Sequence, residues 1–281
     1  MLNAKIHSVN RVSFECFSKY NFNRINMNVK SYFDRIGVEK TNVAADLATL
    51  KILQRRHLLT VPFENLDIHW KRPIELNAKR FYDKIIGEKR GGFCYELNGL
   101  FYELLTEIGF QSKIISARVV KENGDFSAEY DHLAIITQIG NKEYLVDVGF
   151  GSFTAEPLEF VSDVEQRDDN GTFLIRKYDD EYFEVAKKDG DDWRSEYIFT
   201  PLERDLTEFA GMCRFHQTSP ESHFTRGKVC SLMTPDGRKT LTDEKFIETE
   251  NGRKKEIALS SDEQFNRILA NEFYIKPNFN G

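Results

Sequence analysis

Apolar residues recur at helical spacing in the first part of the chain. This pattern predicts helices over 28–36, 43–59, 77–87 and 94–108. The last of these is the clearest, because its apolar face continues to Ile108 and Gly109 ends the run. That face consists of Leu97, Leu100, Phe101, Leu104, Leu105 and Ile108.

From residue 113 to about 205 the pattern changes to that of strands, with charged turns between some of them. The predicted strands cover 113–120, 132–139, 142–148, 173–178 and 182–186. Beyond them, helices are predicted over 204–213 and 261–272, with a few strands in between. The chain is therefore expected to be an α+β protein, and no internal repeat or linker is visible.

One hairpin carries two polar residues whose positions follow from its turn. Gly140-Asn141 joins strands 132–139 and 142–148, and this pair is favoured in two-residue turns. Ile139 then faces Lys142, and Asp147 faces Ala134, diagonally across from His132 on the same face of the sheet. Diagonal neighbours have Cβ atoms ~7–8 Å apart, so the carboxylate can reach the imidazole. A three-residue turn would separate them onto opposite faces.

A single cysteine lies where a helix should begin. Cys94 follows Arg90-Gly91-Gly92-Phe93 and opens the predicted helix 94–108. The unpaired N–H groups and positive dipole of a helix N-terminus favour the thiolate, which is the reactive nucleophile. The alternative is a buried structural cysteine, since free cysteines are among the most buried residues. The presence of His132 and Asp147 elsewhere in the sequence favours the first interpretation, in which Cys94 is a nucleophile.

Composition limits the possible functions. The 281 residues carry a net charge of −6, although residues 1–26 are basic. An acidic body argues against nucleic-acid binding, which needs basic surface to neutralise phosphates. No apolar run approaches the ~20 residues of a membrane span. Four cysteines without framework spacing suit a reducing compartment, and a cytoplasmic location is expected.

Five collinear motifs resemble those of the arylamine N-acetyltransferases. They occupy 61–67 (VPFENLD), 90–94 (RGGFC), 131–133 (DHL), 146–151 (VDVGFG) and 218–224 (TSPESHF). The resemblance runs from about Met27 to the end of the chain. RGGFC alone would be weak evidence, but the combination and order of the five motifs are specific.

The resemblance implies a papain- or transglutaminase-like cysteine-enzyme fold in three parts. These are a helical domain over 27–112, a central β-barrel-like domain over 113–205 and a C-terminal α/β lid over 206–281. Residues 1–26 have no counterpart in the family pattern. They are interpreted as a variable or poorly ordered extension, or as the product of an upstream start codon, with a mitochondrial leader as the alternative.

The resemblance also implies a chemistry and an active site. Cys94, His132 and Asp147 would form a catalytic triad that moves an acetyl group from acetyl-CoA to an arylamine, arylhydrazine or N-hydroxyarylamine by a ping-pong route. The partners would be small aromatic amines or hydrazines, and the protein would be a monomer or weak dimer without a metal. CoA would contact Gly149, Phe150, Gly151, Arg226 and Lys228, and the acceptor would contact Phe63, Asp131, Phe150 and Phe224.

Other interpretations remain for individual residues and for the whole chain. Arg35, Glu64 and Arg90 are expected to form structural ion pairs, with ordinary surface salt bridges as the alternative. Cys213, His216, His223 and Cys230 form a string whose spacing does not match common zinc sites. An amide or thioester hydrolase would use the same triad with water as acceptor. A catalytically silent module that binds CoA or aromatic ligands is the third possibility.

Overall fold

The computed structural model describes residues 27–39 and 43–276, and its first part is helical. Its elements are α1 (Val29–Ile36), α2 (Leu47–Thr60), the short strand β1 (Phe63–Glu64), α3 (Leu66–His69), α4 (Ala78–Tyr82), a π-helical turn (Asp83–Gly87) and α5 (Cys94–Glu107). The helices predicted over 28–36 and 94–108 are confirmed within a residue, whereas the segment predicted as one helix over 77–87 divides into α4 and the π turn. The predictions for residues 1–26 lie outside the described residues.

Side-chain caps explain where two helices begin. Asn28 accepts a hydrogen bond from the Ser31 N–H at the start of α1, and Asp46 accepts one from the Thr49 N–H at the start of α2. Short polar side chains at this position satisfy N–H groups that have no partner within the helix. The helix predicted from residue 43 therefore begins only at Leu47.

The rest of the described chain, up to residue 276, forms three helices and, together with β1, two antiparallel sheets. The strands are β2 (Gln111–Val119), β3 (His132–Ile139), β4 (Lys142–Val146), β5 (Leu158–Glu159), β6 (Gln166–Asp168), β7 (Gly171–Lys177), β8 (Phe183–Asp189), β9 (Asp192–Phe199), β10 (Val229–Thr234), β11 (Gly237–Thr242), β12 (Lys245–Glu250) and β13 (Arg253–Ala258). A 3-10 turn (Leu206–Phe209) leads into α6 (Ala210–Thr218), followed by α7 (His223–Arg226) and α8 (Asp262–Glu272). The helices predicted over 204–213 and 261–272 correspond to the 3-10 turn with α6 and to α8.

The larger sheet has eight strands in the order β5-β4-β3-β2-β9-β8-β7-β6. A parallel bridge between Ser162 and Ile175 connects the segment after β5 to β7, which brings the two ends of the sheet toward each other. The enclosed side is filled by aromatic rings, including Phe153, Phe173 and Tyr197. The sheet is therefore curled and barrel-like, as predicted.

The smaller sheet joins the helical part to the C-terminal part of the described chain. Its order is β1-β10-β11-β12-β13, so the short strand β1 of the helical part pairs with β10. Helix α8 buries Phe265 and Leu269 in the same core as Leu241 of β11. This pairing places the α7–β10 segment directly beside β1 and the start of α5.

The hairpin formed by β3 and β4 has the predicted register. Ile139 pairs with Lys142 and Ile135 pairs with Val146 across the Gly140-Asn141 turn. Gly140 has a φ of 63°, the left-handed conformation that such a turn requires. Asp147, one residue beyond Val146, therefore emerges on the same face as His132.

Candidate active site

Cys94 is the first residue of α5, at a closely packed junction with β1. The Gly92 carbonyl accepts a hydrogen bond from the Glu64 N–H at 2.8 Å, and a Cβ on Gly91 would overlap the Pro62 carbonyl. Only glycine allows so close an approach of two backbones. The Arg-Gly-Gly turn thereby fixes the start of α5, and with it the position of Cys94.

His132 and Asp147 form the contact that the hairpin register predicts. Nε2 of His132 lies 2.7 Å from Oδ2 of Asp147, and both side chains are buried. The Tyr197 hydroxyl donates to the same carboxylate oxygen at 3.3 Å, while the Gly149 N–H donates to Oδ1 at 2.9 Å. The imidazole is therefore held through Nε2, and its Nδ1 is left for another partner.

Asn98 is a site residue that the sequence analysis missed. It lies one helical turn after Cys94, so both project from the same face of α5. Its Nδ2 donates to the Leu133 carbonyl at 2.6 Å and to Asp147 Oδ1 at 2.9 Å, and its Oδ1 accepts from the Val148 N–H at 2.8 Å. The sequence does contain a sign of this role, because Asn98 is a polar residue within the otherwise apolar face of the predicted helix 94–108. Asn98 joins the helix of Cys94 to the strand ends that carry His132 and Asp147.

Gly149 is required by the same close packing. A Cβ at this position would lie 2.9 Å from Cys94 Cα and 2.8 Å from Asn98 Nδ2, both shorter than normal contacts. The backbone after Asp147 therefore lies directly against the first turn of α5. Gly149 is predicted from the sequence to contact CoA, and its immediate neighbours in the structure are Cys94 and Asn98.

The electrostatic surroundings of Cys94 differ from the expectation for a helix N-terminus. Burial raises the pKa of the Cys94 thiol, and the Asp131 and Asp147 carboxylates raise it too, while a hydrogen bond from the Leu133 N–H lowers it. Desolvation therefore opposes the stabilisation of the thiolate that the sequence predicts from the helix N-terminus. A thiolate at this position needs a cationic partner.

Cys94 and His132 open into a cavity of about 660 Å³. The predicted site residues in its lining are Phe63, Cys94, Asp131, His132, Gly149, Phe150, Phe224, Arg226 and Lys228. Gly151 lies outside this lining, and its carbonyl accepts a hydrogen bond from Arg238 at 2.5 Å. His223, within the segment 213–230 that the sequence predicts as the wall facing the CoA entrance, also lines the cavity, and the sequence did not point to Asp243, Glu244 and Lys245.

The inner wall of the cavity is aromatic. Phe224 stands between Phe63 and Phe93, with ring centroids 6.0 Å from each, and Phe150 packs edge-on against His132 at 5.2 Å. Phe63, Phe150 and Phe224 are each half-buried, so part of each ring faces the cavity. A flat apolar molecule would fit between such rings.

The outer wall carries the basic residues. Arg226 is exposed, and among the described residues it has no carboxylate within ion-pair distance. Lys228 instead pairs with Asp243 at 3.0 Å and Asp262 at 3.3 Å, and it lies over the Phe265 ring. Of the two residues predicted to contact the phosphates of CoA, Arg226 is therefore the one whose guanidinium is not already paired with a carboxylate of the described residues.

Behind the nucleophile lies a buried cluster of charged residues. The predicted Glu64–Arg90 pair has a distance of 2.7 Å, and Arg90 also contacts Asp67 at 2.5 Å. Lys84, which the sequence analysis missed, lies 2.8 Å from Asp67 and 2.9 Å from Glu96. These contacts are buried, so the alternative of ordinary surface salt bridges is wrong.

Glu96 connects that cluster to the start of α5. Its carboxylate accepts a hydrogen bond from the Phe93 N–H at 3.1 Å. Burial raises the pKa of Glu96 to about 6, although Lys84 opposes the rise. The residue two positions after the nucleophile is therefore a buried carboxylate that caps the helix.

Arg35 does not form the ion pair predicted for it. Its guanidinium donates to the carbonyls of Thr60, Ile85, Lys89 and Arg90, and no carboxylate among the described residues lies within ion-pair distance. Because carbonyl oxygens also accept strong hydrogen bonds from a guanidinium, the side chain is satisfied without a counter-charge. Arg35 joins α1 to the end of α2 and to the segment before Arg90.

Two structural tests address other kinds of site. In the part of the chain that the structure describes, no group of three or more His, Cys, Asp or Glu side chains is placed to hold a metal ion. Over the same residues, no helix is both long enough and apolar enough to cross a bilayer.

Comparisons with known sequences agree on one family. A sequence model of the N-acetyltransferase family matches residues 46–280. The pineal gland isozyme NAT-3 of arylamine N-acetyltransferase from Gallus gallus is 33% identical over 273 residues, covering 89% of this chain and 94% of its own. Arylamine N-acetyltransferase 2 of Mus musculus is 32% identical over 271 residues, covering 88% and 93%.

Solved structures confirm the predicted fold and family resemblance. An arylamine N-acetyltransferase from Bacillus cereus, described as having a Cys-His-Glu catalytic triad, matches with a TM-score of 0.83 and 28% identity, covering 89% of this chain and 100% of its own. Mycobacterium marinum arylamine N-acetyltransferase in complex with CoA gives a TM-score of 0.81 and 27% identity, covering 88% and 93%. This chain belongs to the arylamine N-acetyltransferase family of acyltransferases.

Proposed function

We propose that this protein transfers an acetyl group from acetyl-CoA to an aromatic amine, arylhydrazine or N-hydroxyarylamine, through an acetyl-Cys94 intermediate. The observation that carries the proposal is the His132–Asp147 contact at 2.7 Å, in a cavity that Cys94 also lines. The names of the relatives and the CoA complex of the Mycobacterium marinum enzyme support the same donor and acceptor classes.

In the first half-reaction, Cys94 is the nucleophile and His132 the base. Because Asp147 holds Nε2, Nδ1 of His132 accepts the thiol proton. Burial disfavours a lone thiolate, so the imidazolium is the cation that stabilises sulfur. Sulfur attacks the thioester carbonyl and a new C–S bond forms. The bond to CoA then breaks, and the CoA thiolate takes the proton from His132.

In the second half-reaction, an amine attacks the acetyl-cysteine. The amine nitrogen forms the new C–N bond and gives its proton to His132, while Cys94 leaves as a thiolate. The Cys94 N–H, at the first position of α5, has no acceptor within its helix and can donate to the carbonyl oxygen as negative charge develops there. The aromatic wall of Phe63, Phe150 and Phe224 holds the acceptor ring.

The outer wall of the cavity suits the phosphates of CoA. Arg226 is exposed there, and Lys228 and Lys245 lie in the same wall. These cations would hold the nucleotide end outside the aromatic wall while the thioester reaches Cys94. The same cavity thus receives donor and acceptor in turn, which fits a ping-pong order.

The experiment follows CoA release and protein mass. Incubation with acetyl-CoA alone should add one acetyl group to the protein, and an aromatic amine should then remove it as the acetylated amine. Cys94→Ser should block both steps, because a serine hydroxyl is far less acidic than a thiol. Cys213→Ser is the matched control, since that cysteine is also buried but does not line the cavity.

Two results would contradict the proposal. One is acetylation of another residue in Cys94→Ser. The other is CoA release at the same rate with and without amine, because water would then be the acceptor and the protein a hydrolase.

A further inference from the structure

The residue before the catalytic histidine places a carboxylate in the aromatic part of the cavity. Asp131 lines the cavity together with Cys94 and His132, and its side chain is 15% exposed. Its charge also acts on Cys94: of the two carboxylates that raise the pKa of this thiol, Asp131 has the larger effect. The carboxylate is therefore close to the position where an acetyl group and its acceptor meet.

A buried network orients this carboxylate. Nε2 of His216 lies 3.2 Å from Asp131 Oδ1, and Nδ1 of the same ring lies 3.2 Å from the Ser222 hydroxyl. The Nε2–H of His216 donates to Asp131, and the Ser222 hydroxyl is the hydrogen-bond partner of Nδ1. His216 and Ser222 are almost completely buried, so the donor to Asp131 is fixed in place.

The same network keeps Asp131 ionised. Burial alone would raise the pKa of this carboxyl, but hydrogen bonds from His216 and Ser127 hold it below its ordinary value. A carboxylate that accepts such hydrogen bonds is stabilised in its charged form. The acceptor region therefore contains a fixed negative charge beside its aromatic rings.

The other acidic and basic side chains that line the cavity, His132 apart, are more exposed than Asp131. Arg226, Asp243 and Glu244 are exposed, and two lysines of this wall are paired, Lys228 with Asp243 and Lys245 with Glu256. His223 is also exposed, and burial of part of its ring, together with the neighbouring His216, lowers its pKa. The charge of Arg226 thus stands without a carboxylate partner among the described residues at the outer wall, while Asp131 presents a carboxylate beside the aromatic rings.

We propose that Asp131 determines acceptor specificity by charge, so that arylamines with a carboxylate on the ring are poor substrates and neutral or cationic arylamines are good ones. This inference rests on the proposed acetyl transfer and specifies its acceptor class. An anionic acceptor bound between the rings would bring its carboxylate into the field of Asp131. Like charges ~10 Å apart at an effective dielectric constant of ~20 lower the rate of such an acceptor about tenfold.

The experiment compares 4-aminobenzoate with the nearly isosteric, neutral 4-aminobenzamide, using the full-length protein and acetyl-CoA. Each kcat/KM is divided by the rate at which the same amine reacts with a simple thioester in solution, which corrects for intrinsic nucleophilicity. For the wild type, the corrected value should be about tenfold lower for the carboxylate than for the amide. Asp131→Asn should reduce this difference to about threefold or less, whereas Asp131→Glu, which keeps the charge, should preserve it.

Equal corrected values in the wild type would overturn the inference, and this comparison does not depend on any variant folding. Undiminished discrimination in an Asp131→Asn protein that still forms acetyl-Cys94 would also overturn it. Failure of the proposed function has a different signature: neither amine would be acetylated by the wild type, and both proposals would fall together.

Discussion

Replacing Gly149 with alanine tests whether close packing around the nucleophile sets the geometry of the triad. The added methyl group would lie 2.9 Å from Cys94 Cα, 3.1 Å from the Cys94 carbonyl oxygen and 2.8 Å from Asn98 Nδ2. Two of these three atoms belong to the backbone of α5, which cannot move as a side chain would. The segment after Asp147 must therefore move away from α5.

The expected magnitudes follow from that displacement. Overpacking by a single methyl group costs about 1–3 kcal/mol of unfolding free energy. The displacement also weakens the hydrogen bond from the Gly149 N–H to Asp147, now 2.9 Å long, and the bond from Asn98 to the same oxygen. Because His132 is oriented by Asp147, a displacement of ~1 Å should lower kcat/KM about 100-fold.

Thermal unfolding and acetylation rates together provide the assay, with Gly211→Ala as the matched control. Gly211 lies in α6, and a Cβ there has no atom within 4 Å, so alanine should stabilise the protein by about 0.4–1 kcal/mol and leave the rate unchanged. A Gly149→Ala protein with wild-type melting temperature and wild-type kcat/KM would refute the reasoning. Loss of stability with full activity would refute the link from packing to triad geometry.

Three further predictions concern the residues around Cys94. Asp147→Asn should lower kcat/KM by several orders of magnitude with little loss of stability, because an amide stabilises the imidazolium poorly; kinetics and thermal unfolding of the same sample measure both. His132→Ala should abolish the alkylation of Cys94 by iodoacetamide at acidic pH, since the thiolate loses its cation, and unchanged alkylation would exclude His132 as that partner. The pKa of Glu96, about 6 in the folded protein against 4.5 when exposed, is raised, so the folded state binds this proton more tightly than the unfolded state. As the pH falls from 7 to 5, the wild type should therefore gain about 1 kcal/mol of unfolding free energy relative to Glu96→Gln, and a constant difference in denaturant titrations would contradict this.

The hairpin of β3 and β4 is a part of the fold that the local sequence alone is sufficient to predict. A two-residue turn and strict alternation of side chains fix which face each strand residue occupies, so the pairing of β3 with β4 followed from residues 132–148 alone. The contact between His132 and Asp147 spans only 15 positions, all within this one hairpin. Its geometry was therefore accessible to a local argument.

Asn98 shows where such an argument ends. Its contacts with Asp147 and Val148 span 49 and 50 positions and depend on how α5 packs against the sheet. Nothing in the period of a helix or a strand specifies that packing. The same holds for Lys84, whose carboxylate partners come from β1, α3 and α5.

The sequence by itself determined the α+β class, helices α1 and α5, the register of the hairpin and the family to which the chain belongs, and it predicted the roles of Cys94, His132 and Asp147. Periodicity and turn chemistry act over a few residues, and the family motifs keep their order along the chain. Only the tertiary structure decided the burial that raises the pKa of Cys94, the carbonyl partners of Arg35 and the position of Asp131 in the cavity lining. These features depend on burial and on which charges lie close together in the folded chain. The effect of desolvation on a pKa cannot be read from the sequence, because it arises only when the chain packs around the group.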